Sequence, residues 1–451
     1  MHKEYNVEGI SFAAYALQTF SALIISLISN LAVSIVTARI LGPEGKGALA
    51  ILNLYPTVLL TISSLSIYRS LTIHIAEKRF PLAYFPGSIS VYILIVSVVM
   101  VLVSICTYFF MPGLFIHNVP FSLVLLSLAM FPSLLVNQLF SNMLQACGKV
   151  SQYNLKDIFN NICLIVFVFI ALIMLKRGIG GALFSFFAAN ALTACFAIYL
   201  VRTIAPERWK YSFSLLKDLI KDGAKLHIAV IATLISSRIN ILMLGFYRQT
   251  SSAGYYSVAL SIAELICLVS VAIHTVFYSR FSEMVRDKAE MARKTVRIYK
   301  HSIAVFAVFT ILLCLFSRKI IILFYGLGFL PSLKPLLILL PGAALFYLNN
   351  VLVVYLVATK KFFHISIIYS ICSFLNVWLN IVLIPRYDVI GAAAATSVSY
   401  LAQAVLIFII FLSVSKYTIK EFFKELLFKR EDIFFYQALI GEAIAKLKNN
   451  R

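Results

Sequence analysis

The sequence predicts an all-α integral membrane protein of twelve transmembrane helices in two six-helix lobes, and three observations predict it. The composition is 61% hydrophobic and 13% charged over 451 residues, with a mean hydropathy of +0.95, which excludes a water-soluble globule. The apolar residues gather into segments of bilayer-crossing length, at 10–36, 48–75, 81–110, 119–147, 154–175, 179–204, 223–247, 252–281, 301–327, 333–359, 364–385 and 390–415. The chain is also internally duplicated: Leu27-Ile28-Ser29 recurs as Leu234-Ile235-Ser236, Gly47 as Gly254, Pro132 as Pro341 and Gly181-Ala182 as Gly391-Ala392, at offsets of 207 to 210. An even-numbered repeat inserts the same way up, so the lobes are expected to be related by an axis along the membrane normal. The expected division is 1–222 with its basic connector, 223–415, and a basic amphipathic tail over 416–451.

Orientation follows from the lysines and arginines, because positively charged loops stay cytoplasmic. With both termini inside, 27 of the 39 basic residues lie at the cytoplasmic ends, 9 lie in outer turns, and Arg69, Lys225 and Arg238 lie within or at the mouths of spans. The net charge of +21 is therefore a topology signal; it forms no contiguous patch for nucleic acid, and none is expected as a partner. All seven cysteines fall inside apolar segments and read as small hydrophobes, so neither a disulfide framework nor a metal site is expected. No cofactor is implied, and the sequence leaves a coupling ion open.

Segment 1 carries Thr19, Ser26, Asn30 and Thr37 on one helical face. Such a stripe either bonds a neighbouring helix or lines water. The following Ala38-Arg39-Ile40-Leu41-Gly42-Pro43-Glu44-Gly45-Lys46-Gly47 reads as an outer turn, and it lacks the spacing of a phosphate loop. It resembles the ARxLGPxGxG signature of polysaccharide flippases, which belong to the multidrug/oligosaccharidyl-lipid/polysaccharide exporter superfamily.

Segment 2 holds Arg69 near its cytoplasmic end, where it either snorkels to headgroups or faces a substrate. His74 reads as interfacial. Segment 4 repeats Ser133, Asn137, Ser141 and Gln145 at four-residue spacing, and segment 5 opens with Asn154, Asp157 and Asn161 on one face. Each stripe alone is ordinary helix-to-helix glue; several together suggest a shared hydrated interior. The connector 205–222 is expected to lie as an amphipathic helix at the membrane interface.

The second half carries the closest resemblance. Gly223, Arg238-Ile239-Asn240, Leu244-Gly245, Gly254-Tyr255-Tyr256-Ser257-Val258-Ala259 and Ala263-Glu264 look like the helix 7 and 8 signature of the same flippases. So does Leu383-Ile384-Pro385-Arg386-Tyr387 followed by Gly391-Ala392-Ala393-Ala394-Ala395-Thr396-Ser397. One departure is Asp388, where the family usually has glycine. Segment 8 sets Ser257, Ser261, Glu264 and Thr275 on one face, and segment 11 does the same with Tyr369, Ser373, Asn376 and Asn380. An ionised side chain at mid-bilayer costs about 2.5 to 3.5 kcal/mol on insertion scales. Arg238 and Glu264 therefore either neutralise each other or face a wet cavity.

The resemblance implies a MATE-like fold and a flippase that carries a lipid-diphosphate-linked oligosaccharide from the cytoplasmic to the outer leaflet of the cell membrane. Membrane lipids and polysaccharide polymerase machinery are the other implied partners. Arg69, Lys225 and Arg238 would then meet the phosphates, with Glu264 part of the same substrate site, and Asn30, Asn137, Asn376 and Asn380 would meet the sugar. Two rivals stand beside it. A multidrug or cation antiporter should carry a membrane-embedded carboxylate in its first half, where helices 1 to 4 and 6 have none and Asp157 lies near an end of helix 5. A glycan polymerase or ligase should need a sizeable outer loop, and every outer connection is short.

Overall fold

A computed structural model describes residues 12–110, 120–271, 273 and 288–427. The expectations for Thr275, for the end of the 252–281 segment and for the tail beyond 427 lie outside these residues. In chain order the helices are α1 (Phe12–Ser63), α2 (Ile67–Glu77), α3 (Tyr84–Phe110), α4 (Phe121–Ala146), α5 (Val150–Phe169), α6 (Gly178–Ile204), α7 (Phe213–Tyr247) and α8 (Thr250–Ala263). They are followed by α9 (Lys288–Ile320), α10 (Leu333–Ala358), α11 (Phe362–Ser415) and α12 (Ile419–Leu426). No strand occurs among the described residues.

Ten of the described helices are long and apolar enough to cross a membrane. Two of these stretches, Gln18–Ser63 and Phe362–Ser415, are 46 and 54 residues long, about twice the ~20 residues that one crossing takes. Each bends at one non-helical residue, Gly42 (φ 67) in α1 and Asp388 (φ 52) in α11. The expected twelve crossings are reached only by reading each bent helix as two. The outer turn of the sequence reading thus shrinks to Gly42, since Pro43 starts the second arm of α1 as an N1 proline can. Lys46, expected in that turn, lies inside the helix, where its Nζ donates to Ser34 Oγ (3.2 Å) and Thr37 Oγ1 (2.9 Å).

Two further expectations are corrected. The span 48–75 is not continuous: it breaks over Ser64–Ser66, where Leu65 and Ser66 adopt positive φ, and resumes as α2. The connector does not lie free at an interface. From Phe213 onward it is the first part of α7, capped by Ser212, and its buried Leu215 and Leu219 join the core made by Phe131, Phe140, Leu144 and Leu200. The apolar face that suggested membrane contact is spent on protein packing.

The two halves meet along α1, α7 and α8. At the end away from the connector, a Cβ on Gly47 would collide with the Thr250 carbonyl and one on Gly254 with that of Pro43. The second arm of α1 and α8 therefore touch backbone to backbone. Arg39 adds a contact between the halves, donating from Nε to the Phe324 carbonyl (2.7 Å) and from Nη2 to that of Leu323. At the connector end, Gly223 of α7 fits against the broken stretch 65–67.

Candidate functional site

α7 and α8 form a helical hairpin whose turn is at Arg248 and Gln249. Counting about 1.5 Å per residue, Arg238 lies about 15 Å and Glu264 about 20 Å from that turn, close to the middle of a ~30 Å hydrocarbon core. Their side chains meet, Arg238 Nη2 standing 3.1 Å from Glu264 Oε1. They are not packed shut: the two side chains remain 38% and 34% exposed. Tyr256, Tyr347 and Tyr400, from α8, α10 and α11, lie near enough to feel both charges. Glu264 also opens a single 3-10 turn, Glu264–Ile266, in the course of α8. The charges neutralise each other, the first of the two alternatives, while part of each side chain stays open to the surrounding space. A guanidinium carries five N–H donors, so an acceptor entering that space can bind Arg238 beside Glu264 or in its place.

The other expected site residues divide by burial. Asn376 and Asn380 are fully buried, contrary to a sugar-lining role in this state. Asn380 donates to the Asn240 and Asn376 side chains, and Asn240 donates to Tyr256 Oη (2.8 Å) and Thr396 Oγ1 (2.6 Å). This network ties α7, α8 and α11 together. Asn137 donates to the Asn190 carbonyl (3.0 Å), tying α4 to α6. The stripe of segment 1 is spent in the same way, Thr19 accepting from Asn154 (3.2 Å) and Ser26 from Asn161 (2.8 Å). Asn30 alone of the four expected asparagines is exposed.

Arg69 is exposed beside the Tyr68 ring, at 5.7 Å. Lys225 is exposed but engaged, its Nζ 2.7 Å from Asp222 Oδ1. Asp222 also meets His74 Nε2 at 3.1 Å, and the bonds from Lys225 and then His74 hold its carboxyl below the usual carboxylate range. His74 is buried, not interfacial. His227 is buried, with Nδ1 3.2 Å from Ser66 Oγ and Nε2 3.1 Å from the Ile62 carbonyl, so it braces the break between α1 and α2. The run Ser63-Ser64-Leu65-Ser66 was the available signal, because serine hydroxyls compete with helical bonding.

Residues 13–285 match the family model described as Polysaccharide biosynthesis protein. No curated protein matches the chain. Among solved structures the chain is similar to a lipid II flippase MurJ in an inward closed conformation, with TM-score 0.72 and 19% identity, over 96% of this chain and 97% of that one. It is also similar to a multidrug resistance MATE family transporter, inward-facing at TM-score 0.67, 15% identity and 89% and 99% coverage, and outward-facing at 0.55, 14%, 90% and 96%. At these identities the likeness is one of fold. The family match covers more than half of the 451 residues and bears out the resemblance carried by the ARxLGPxGxG stretch; the chain belongs to the polysaccharide biosynthesis protein family.

Proposed function

We propose that this protein flips a lipid-diphosphate-linked oligosaccharide from the cytoplasmic to the outer leaflet of the cell membrane, for the synthesis of a surface polysaccharide. The observation that carries the reading is the Arg238–Glu264 pair, half-open at mid-depth between tyrosines. A diphosphate displaces the Glu264 carboxylate from the guanidinium, and the tyrosine rings offer faces and hydroxyls to the sugar. Exposed Arg69 and Lys225, at the connector end, collect the anion first. The excess of basic residues assigns that end to the cytoplasm, and alternating access between the halves carries the headgroup across.

Arg238→Leu combined with Glu264→Leu tests this directly. The double variant removes both charges, so it should accumulate in the membrane and fail to flip lipid-linked oligosaccharide in proteoliposomes. Arg238→Lys should keep part of the activity, since charge survives while the planar fork does not. Transport by the double variant would overturn the reading. The half-exposed carboxylate of Glu264 favours one second reading, a multidrug or cation antiporter. There Glu264→Gln abolishes drug export, whereas in the flippase it leaves Arg238 free for phosphate.

A further inference from the structure

One large cavity among the described residues runs beside the Arg238–Glu264 pair and does not contain it. It measures about 820 Å³ and lies in the seam where the second arm of α1, flanked by α3, faces α7, flanked by α11. Its walls are apolar: Val58, Leu59 and Ile62 on one side, Ile239, Leu242 and Met243 on the other. A second apolar cavity of about 270 Å³ shares Ile235 and Val377 with it and continues between α7 and α11 as far as Ile228. From Tyr247 to Ile228 the two form one track along α7, about 30 Å long at about 1.5 Å per residue, which is the thickness of a bilayer's hydrocarbon core. Phe246, Phe374 and Ile228 on its rim are exposed, so the track opens sideways towards lipid. The seam on the other side of α1 offers no such space at its far end, because α8 touches it backbone to backbone at Gly47 and Gly254.

Arg238 leaves α7 from the same two turns as Ile235, Ile239 and Leu242, on the adjoining face. A charge pair at mid-depth thus borders an apolar track as long as the membrane core. We propose that the track between α1, α7 and α11 seats the polyprenyl chain of the substrate while its diphosphate is held at Arg238. The proposal rests on the flippase reading and adds where the tail lies: the lipid portion crosses with the headgroup in a fixed seam, and does not wander freely in the bilayer. A polyprenyl chain suits this place better than a bulk acyl chain because its diphosphate offers the Arg238 guanidinium more charge and more acceptor oxygens than the single phosphodiester of a phospholipid.

The test uses the full-length protein in phospholipid vesicles with a photoreactive benzoylphenylalanine at Val58 or Met243 inside the track, or at Leu94, an exposed position on α3 outside it. The probe is a radiolabelled polyprenyl-diphosphate-linked sugar in a large excess of phospholipid. Illumination should transfer label to the Val58 and Met243 positions and not to Leu94, and adding Arg238→Ala should lose that label. Equal labelling at Leu94, labelling by phospholipid alone, or capture indifferent to Arg238→Ala would overturn the track. Transport assayed with the unmodified chain separates the two claims. Transport without capture sinks the track and leaves the flippase reading standing, whereas no transport of the lipid-linked sugar sinks both.

Discussion

Asp388 shows how a single residue departs from what its position asks. It sits at the bend of α11 with φ 52 and ψ −131, a backbone region that glycine enters freely and a side chain enters under strain of about 1 to 3 kcal/mol. Its Oδ2 accepts from Ser252 at 3.0 Å, while its Oδ1 is buried with no partner among the described residues. Removing the side chain forfeits one hydrogen bond, about 1 kcal/mol, and relieves both the strain and the orphaned oxygen. Asp388→Gly should therefore raise stability by about 1 kcal/mol, read as a higher midpoint of thermal unfolding in detergent; Asp388→Val, which keeps the strain and loses the bond, should lower it. The sequence showed the departure from glycine but not its reason, which is a backbone angle. Arg238 and Glu264 were visible for the opposite reason, since a charge inside an apolar run stands out at once. What no spacing rule could supply was that the asparagine stripes face each other: Asn240, Asn376 and Asn380 become glue only because α7 and α11 happen to lie side by side.

Among the elements, α12 follows its local sequence most closely. Thr418 caps it, with its hydroxyl accepting from the Glu421 N–H (3.2 Å) and Glu421 Oε2 accepting from the Thr418 N–H (2.9 Å), a complete capping box. Phe422 is buried against Tyr299, Phe408 and Phe411, while Ile419 and Phe423 stay exposed. The Thr418 backbone and hydroxyl bonds hold the Glu421 carboxyl below its usual value of 4.5. A carboxyl whose pKa is lower in the folded than in the unfolded state lends stability that is fully present above the unfolded value and is lost as pH falls through the folded one. Hydrogen exchange of amides 419–426, corrected for intrinsic rate, should therefore be flat from neutral pH down to the ordinary glutamate range and accelerate below it. Glu421→Gln should remove that acid dependence. The break between α1 and α2 was harder to foresee, because its cause is not local alone: the serines loosen the helix, but His227 and Gly223 of α7 hold it open.

At the scale of the whole molecule, the ARxLGPxGxG stretch is where the halves close on each other, and this yields a prediction about the proposed transport cycle. Gly42 supplies the bend, Lys46 ties the second arm of α1 back to Ser34 and Thr37, Arg39 reaches the carbonyls at the end of α9's π-helical extension, and Gly47 admits the backbone of α8. A methyl group at Gly47 meets a backbone carbonyl, not a side chain that could swing away. Overpacking of that kind costs about 1 to 3 kcal/mol, and about 1.4 kcal/mol shifts a two-state equilibrium tenfold. If the halves alternate between closed and open at this end, Gly47→Ala raises the closed state and leaves the open one untouched. Spin labels at Glu44 and Ser251, which flank the contact, should then show a population at longer distance in Gly47→Ala that the unmodified chain lacks. The variant should reach the membrane in normal amount, and its turnover should fall because the return to the closed state is slowed. Arg39→Ala should shift the same distance distribution in the same direction, since it removes two hydrogen bonds from the closed state only. An unchanged distance distribution in both variants would mean that this end does not open, and alternating access between these two halves would have to be abandoned as the means of transport.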